Sequence, residues 1–210
     1  MVIDELTNNR LNKSWGSGFT GVASGHMLAQ LKPVPGVPSL PGKNTSGQSV
    51  DFRVGWYTGD ICVIYDNTVV AYLALKERDI TVGVGSWTMH RVNSVAVNQE
   101  YRGQEIALRL YIALVTAGIN LMTLGSHSLG AKKVWNNLAK SGQVSVWVTD
   151  MNSSKFYTAS PASGTLRGVK RGKFFPVYGT QNSRELIATA AGSALDRAII
   201  KASNDQGQRA

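Results

Sequence analysis

One segment, residues 95–111, constrains the fold of this chain more than any other. Val95, Ala96 and Val97 are typical of the end of a β-strand, and a short polar run follows them. From Ile106 onward, apolar residues recur at helical spacing. A helix that begins there leaves its first amide N–H groups without intrahelical acceptors and carries partial positive charge at that end. The segment therefore predicts a strand, a tight loop and a helix start that can hold an anion.

The polar residues of this loop suit an anionic ligand. Arg102 adds a positive charge, and Gly103 lets the backbone approach a ligand closely. A plainer interpretation is a solvated first helical turn, in which Gln104 and Glu105 face water and the helix dipole favours the glutamate.

An antiparallel meander is predicted before this segment. Residues 50–56 alternate between apolar and polar, as a half-buried strand does. Residues 61–65 and 69–75 are two further strands around Asp66-Asn67, a pair that favours a tight turn. Residues 81–97 supply one long strand or two short ones.

After the helix, the predicted elements alternate. They are a strand at 121–124, a helix at 130–139, and strands at 144–149 and 174–178. A β-α-β order after a meander implies parallel neighbours joined through a helix. We therefore expect an α/β protein of the α+β kind, with a mixed, mostly antiparallel central sheet and helices on both faces.

The chain is long enough for one sizeable core, and we expect a single domain over residues 1–201. Its parts are N-terminal helices and a Pro/Gly-rich loop at 1–49, a core at 50–150, C-terminal strands with a basic loop at 151–180, a helix at 182–201 capped by Asn182 or Ser183, and a flexible tail at 202–210. The Ala-rich stripe of the last helix suits packing on the sheet or pairing of two chains as a homodimer.

Composition and local sequence indicate the cellular compartment in which the protein is expected. No apolar run is long enough for a membrane span, and acidic residues near the N-terminus do not fit a secretory signal. The single cysteine, Cys62, lies in an apolar run and is expected to be a buried, inert thiol. A cytoplasmic protein without membrane contact is the expectation.

The chain is basic. Lys and Arg outnumber Asp and Glu by 22 to 13, and the net charge of +9 favours an anionic partner such as nucleic acid, a phosphorylated cofactor or an acidic protein. The densest basic stretch, residues 167–173, is interpreted as a hairpin loop with solvated charges. The aromatic residues around it are interpreted mainly as strand core.

Two short motifs resemble those of a known family. The run from Arg102 to Ala107 after a strand resembles motif A of the GNAT superfamily of acyl-CoA-dependent N-acyltransferases, Q/R-x-x-G-x-G/A, with Arg102, Ile106 and Ala107 matching. The run from Ser128 to Trp135 is similar to the second motif of the family, N-x-x-A-x-x-x-Y. In order and spacing, the resemblance covers roughly residues 60–150.

Three positions depart from these motifs. Glu105 stands where motif A has its glycine, which places a carboxylate near the expected phosphates. Trp135 stands where many members have a tyrosine that protonates the leaving thiolate, and an indole N–H does not titrate usefully. Ser128 replaces a frequent asparagine.

The resemblance implies an N-acetyltransferase that moves an acetyl group from acetyl-CoA to a primary amine by direct attack. It implies that the backbone of Val95, Ala96 and Val97 holds the pantetheine arm and supplies an oxyanion donor, and that acetyl-CoA places its pyrophosphate at the helix start. The residues expected there are Arg102, Gly103, Gln104, Glu105, Ile106 and Ala107.

For the general base, His90 is the first candidate and His127 a rival. Ser128 and Trp135, from the second motif, are the other candidate catalytic residues. The residues show no metal-ligand spacing. The acceptor amine, on a protein or a small molecule, is left open. The alternative function is a catalytically inactive binding protein of the same fold that engages an acidic protein or nucleic acid through its basic surface.

Overall fold

The computed structural model of the chain describes residues 23, 25–123, 128–150, 154–161, 166–170, 172–178 and 184–208. The described helices are α1 (Gly25–Gln30), α2 (Ile106–Thr116), α3 (Leu129–Ser141) and α4 (Ala194–Gln208), with a short 3-10 helix at Gln99–Tyr101. The strands are β1 (Lys32–Pro33), β2 (Leu40–Lys43), β3 (Ser49–Tyr57), β4 (Asp60–Tyr65), β5 (Thr68–Val82), β6 (Gly85–Val97), β7 (Leu121–Met122), β8 (Val144–Asp150), β9 (Lys155–Ser160), β10 (Arg167–Lys170), β11 (Lys173–Pro176) and β12 (Arg184–Ala190).

The chain divides into two compact units. The first takes its described residues from Met1–Leu75 and Asn93–Ala113, and the second from Lys76–Val92 and Leu114–Ala210. Strands β5 and β6 and helix α2 each contribute residues to both units. The prediction of a single domain over 1–201 stays a prediction.

The first unit is built on an antiparallel meander. Strand β3 pairs with β4, and β4 pairs with β5. The turn between β4 and β5 is tight, and Asp66 in it has a positive φ of 52°. One core cluster of this unit joins Met27 of α1 to Cys62, both fully buried. The burial of Cys62 confirms the prediction of a buried thiol, and it raises the pKa of that thiol.

The Pro/Gly-rich segment before β3 is not a continuous loop, so that prediction was wrong. Strands β1 and β2 both pair with β3, and Pro33 and Pro41 are tolerated because each of these short strands has β3 as its one described partner. The β2–β3 turn is closed by Asn44, whose side-chain oxygen accepts from the N–H groups of Ser46 and Gln48.

The second unit contains the one parallel pair among the described strands. Strand β6 runs parallel to β7, and His90 and Arg91 pair with Leu121 and Met122. The chain passes between these strands through α2, as the β-α-β order predicts. Strand β12 lies between β7 and β8 and is antiparallel to both, and β9, β10 and β11 continue the antiparallel pairing to the edge.

The predicted helix at 182–201 is wrong in its first half. Residues 184–190 form β12, which is buried along most of its length between two strands. A continuous apolar run of this kind has the same pattern in a buried strand and in a buried helix. Helix α4 begins only after a turn at Gly192, whose φ is +70°. The proposed caps Asn182 and Ser183 lie outside the described residues.

The predicted flexible tail is also corrected. Helix α4 continues through residue 208, and only residues 209–210 lie outside the described part. Leu195 and Ile199 of α4 are buried in a core cluster with Trp147 and Phe156, which holds the helix against the strands.

The architecture is of the α+β class, with strands that pair mostly antiparallel. The strands predicted at 50–56, 61–65 and 144–149 and the helices predicted from Ile106 and at 130–139 are confirmed. No helix in the described part of the chain has the length and apolar character of a membrane span.

Candidate functional site

The predicted loop between strand and helix is present in the first unit, and Asn98 fixes its start. Asn98 follows the last residue of β6 and is almost fully buried. Its backbone N–H donates to the carbonyl of Val70 at 2.9 Å, and its side-chain amide donates to the carbonyl of Val69 at 3.2 Å. Its side-chain oxygen accepts from the N–H of Glu100 at 3.2 Å. One buried side chain therefore joins the loop to β5.

Tyr101 gives the loop a second anchor. It closes the short 3-10 helix and is only 3% exposed. Its ring meets that of Phe52 on β3 edge to face, with the centroids 5.7 Å apart. Its backbone N–H donates to the carbonyl of Asn98 at 2.9 Å. The Tyr101 ring thus ties the loop to the meander, and its backbone N–H closes the 3-10 turn.

The turn into α2 needs two residues with left-handed backbone. Gly103 has a φ of +83°, which glycine adopts without strain, and Glu105 has a φ of +55°, which an L side chain adopts at a cost of about 1–2 kcal/mol. Glu105 is the position at which motif A has glycine. Its side chain is exposed at the surface.

The helix start has amide groups available to a ligand. The first hydrogen bond of α2 runs from the N–H of Arg109 to the carbonyl of Glu105 at 3.0 Å. The N–H groups of Ile106, Ala107 and Leu108 precede it, so the helix itself offers them no acceptor. Among the described residues, no side chain caps them. Together with the helix dipole, they form a site that favours an anion.

Strand β2 holds the loop from the other side. The backbone N–H of Lys43 donates to the side-chain oxygen of Gln104 at 2.7 Å, and the side-chain amide of Gln104 donates back to the carbonyl of Lys43 at 2.9 Å. One turn further along α2, the Arg109 guanidinium donates to the carbonyl of Pro41. The predicted ligand residue Gln104 therefore has its amide committed to a structural contact.

Charges of both signs surround the helix start. Arg102 and Lys43 are exposed cations, and Glu100 and Glu105 are exposed carboxylates. The Nε of Arg102 donates to the carbonyl of Val97 at 3.4 Å, which directs the guanidinium back toward the end of β6. The amides of the helix start add partial positive charge to this balance.

His90 lies on the part of β6 that belongs to the second unit, eight residues before Asn98. Its backbone N–H donates to the carbonyl of Asn120 at 2.8 Å, and its Nε2 is 3.7 Å from Glu77. Burial lowers the pKa of His90, although Glu77 and the contact with Asn120 act in the opposite direction. A lowered pKa favours the neutral form of the imidazole.

The candidates from the second motif have structural roles. Ser128 is the N-cap of α3, and its hydroxyl oxygen accepts from the N–H of Ala131 at 3.2 Å. Trp135 is 1% exposed, among the largest fully buried side chains of the chain. The rival base His127 lies outside the described residues.

The structure brings Val95, Ala96 and Val97 and the residues from Arg102 to Ala107 together in one unit, whereas His90, Ser128 and Trp135 belong to the other. Sequence reasoning missed Asn98 and Lys43, which position the loop through hydrogen bonds. The one signal for Asn98 in the sequence was an asparagine directly after a predicted strand. The sequence has no signal for the contact of Lys43.

The comparisons leave the family of this chain open. No protein-family model matches it, and no curated protein matches it significantly.

Proposed function

We propose that the protein is an acyl-CoA-dependent N-acetyltransferase that transfers an acetyl group from acetyl-CoA to a primary amine. The observation that carries the proposal is the start of α2, where the amides of Ile106, Ala107 and Leu108 face a loop that Asn98 and Tyr101 hold in place. A pre-organised set of donors binds a pyrophosphate without an ordering cost at the moment of binding.

The backbone at Glu105 supports the same proposal. Position four of motif A takes glycine in the family, and this chain keeps a left-handed φ of +55° there although the residue is a glutamate. The side chain is exposed, so its carboxylate is solvated. The carboxylate is then a nearby negative charge in water, which weakens phosphate binding modestly and less at high salt.

Direct transfer requires a neutral amine, a stabilised oxyanion and a departing thiolate. The amine nitrogen bonds to the thioester carbon, the C–S bond breaks, and the electron pair leaves with sulfur. In this proposal the proton that the amine gives up passes to water; His90, the base expected from the sequence, lies in the other unit and is tested by substitution. The backbone N–H groups of Val95 to Val97 are the proposed oxyanion donors.

No residue of the second motif supplies an acid in this proposal. The indole of Trp135 does not titrate usefully and is buried, and the hydroxyl of Ser128 is used as a helix cap. A thiolate is a sufficiently good leaving group to depart unprotonated and take its proton from water.

The test is acetyl-CoA binding by isothermal titration calorimetry, with a thermal-shift measurement in parallel. We expect saturable heat and a midpoint that rises with acetyl-CoA concentration. The absence of both at millimolar acetyl-CoA would exclude the enzyme. Thiol release with lysine peptides and polyamines as acceptors then tests turnover. The same assay on the His90→Gln variant tests the base, and a normal rate in that variant excludes His90 as the base.

The second candidate is the same fold without the chemistry, used for binding. It is favoured by the burial of Trp135, which gives the second motif a packing role instead of a chemical one. Acetyl-CoA that binds while no acceptor is ever acetylated supports this candidate.

A further inference from the structure

The edge of the second unit carries a surface that the acyltransferase proposal does not use. In the hairpin of β10 and β11, Gly168 pairs with Phe175, and Lys170 pairs with Lys173; in the neighbouring pair, Gly168 is opposite Ala159 on β9. Paired residues share a face of a sheet, and side chains alternate between faces along each strand. One face of this edge therefore presents Lys155, Tyr157, Lys170, Lys173 and Phe175, which we call the edge face.

The sequence predicts a hairpin loop with solvated charges at 167–173. A hairpin is present and its lysines are exposed, but Lys170 and Lys173 are paired strand residues and not loop residues. Arg167–Lys170 and Lys173 are strand residues with fixed register, and the turn between them includes Gly172 with a φ of +73°. Register fixes the lysines relative to the aromatic rings, which a flexible loop would not do.

Two aromatic rings lie side by side on this face and remain half exposed. The rings of Tyr157 and Phe175 meet edge to face with centroids 5.0 Å apart. Phe175 lies directly over Gly168, because a Cβ added to that glycine would come within 2.0 Å of the ring. The glycine thus makes room for the ring at a position where any side chain would displace it.

The charge around the rings is mainly positive. Lys155, Lys170 and Lys173 are exposed, and the guanidinium of Arg184 lies 4.6 Å from the centroid of Phe175. Register places Asp150 on the same face, opposite both Lys155 and Arg184. Four cations and one carboxylate therefore border the rings.

We infer that the edge face binds single-stranded DNA. Cations follow the phosphates of a single strand while aromatic rings stack on its bases, and the two kinds of group occur together here. The lysines alone would suit an acidic protein, whereas the rings beside them offer flat apolar surfaces on which the bases of a single strand stack; a duplex keeps its bases stacked internally. The acceptors on this face for a ribose 2′-OH are the hydroxyl of Tyr157 and the carboxylate of Asp150, and Asp150 is already paired in register with Lys155 and Arg184. This inference does not depend on acyltransferase activity.

The first test measures how much the charges of the edge face contribute to DNA binding, with a control variant that loses the same charge elsewhere. Fluorescence anisotropy of labelled dT20 is followed against salt for the wild type, for Lys170→Gln/Lys173→Gln, and for Arg167→Gln/Lys201→Gln. Arg167 lies on β10 but on the opposite face, and Lys201 is exposed on α4, so both double variants lose the same charge. Four phosphate contacts predict a slope of log K against log salt of about −2.8.

We expect the edge-face variant to lose about half of that slope and about tenfold or more in affinity at low salt, and the control variant to keep the wild-type slope. Equal losses in the two variants would mean diffuse attraction by net charge and would overturn the inference. Thermal unfolding of each variant shows that the fold is retained.

The second test measures stacking. Tyr157→Leu keeps an apolar side chain on β9, and we expect about fivefold weaker dT20 binding with an unchanged salt slope. Unchanged affinity in this variant, together with competition by polyglutamate as effective as that by dT20, identifies an acidic protein as the partner instead. Tighter binding of rU20 than dT20, or equal binding of a 20-base-pair duplex, also overturns the inference of single-stranded DNA.

Discussion

Two helices of this chain begin in opposite ways. At α4, the N–H of Asp196 donates to the hydroxyl of Ser193 at 3.2 Å, and the buried Asp196 carboxylate accepts from the N–H of Gly192 at 2.8 Å. The same carboxylate also accepts from the indole of Trp147 at 2.9 Å. At α2, the cap position is Glu105, whose side chain is exposed.

The difference separates a structural helix start from one that is free to bind. The Ser193 hydroxyl accepts from the N–H of Asp196 at the start of α4, and the buried Asp196 carboxylate places negative charge there, so an anionic ligand has little to gain. The start of α2 is held instead through the loop that precedes it, by Asn98 and by the contact between Gln104 and Lys43. That arrangement fixes the position of the helix while the amides of Ile106 to Leu108 stay available.

The largest expected effect is at the closed helix start. Asp196→Ala leaves the Trp147 indole and the Gly192 N–H without their acceptor, and we expect the free energy of unfolding to fall by about 3 kcal/mol. Chemical denaturation measures it. Asp205→Ala, at an exposed position on the same helix, should change it by less than about 0.5 kcal/mol. A small effect of Asp196→Ala would mean that this start is not closed by side chains.

The next effect concerns ligand binding at the open start. Arg102→Ala removes a charge-assisted contact with the pyrophosphate, and we expect acetyl-CoA affinity to fall by about 1.5 to 3 kcal/mol in calorimetry. Arg167→Ala removes the same charge from the second unit and should leave the affinity unchanged. If Arg102→Ala also leaves it unchanged, the loop is not the pyrophosphate site.

A smaller effect is expected at the third helix start, where Ser128 caps α3. Ser128→Ala removes the acceptor for the N–H of Ala131, and we expect the unfolding free energy to fall by about 1 kcal/mol. Ser86→Ala, at an exposed strand position, serves as the control. If turnover of the folded variant falls by orders of magnitude, Ser128 has a chemical role beyond its cap.

The smallest effect tests the backbone of the open start. Glu105→Gly relieves the left-handed strain but costs chain entropy, and we expect a net gain of about 0.5 kcal/mol in unfolding free energy. Glu100→Gly removes the same charge from the 3-10 helix, where the backbone is not left-handed, and should lower stability. A loss of stability in both variants would contradict the strain at Glu105.

Local patterns predicted well where periodicity was unambiguous. Alternation over 50–56 predicted β3, and helical spacing from Ile106 predicted α2, because apolar side chains recur along an element with its own period. Prediction failed at Arg184–Ala190, where both sides of a strand are buried and no alternation remains to be seen. It failed at 40–43 because proline and glycine usually indicate a loop. An edge strand tolerates a proline, and the sequence does not show which strand lies at an edge.

The candidate site was predictable in part. Arg102 to Ala107 are contiguous, so a motif can identify them. The contact of Gln104 with Lys43 spans 61 positions in the sequence, and no local pattern reports such a pair. The edge face is likewise assembled from β9, β10 and β11, whose register decides which lysines meet which rings.

By itself, the sequence determined that a strand, a tight loop and an apolar helix follow one another at residues 95–111, because their side-chain periods and the loop glycine are local properties. Only the tertiary structure decided that the loop is anchored by Asn98 and Lys43 and that Glu105 takes a left-handed backbone. Those features depend on hydrogen bonds between residues distant along the chain, and such bonds exist only after the strands have paired.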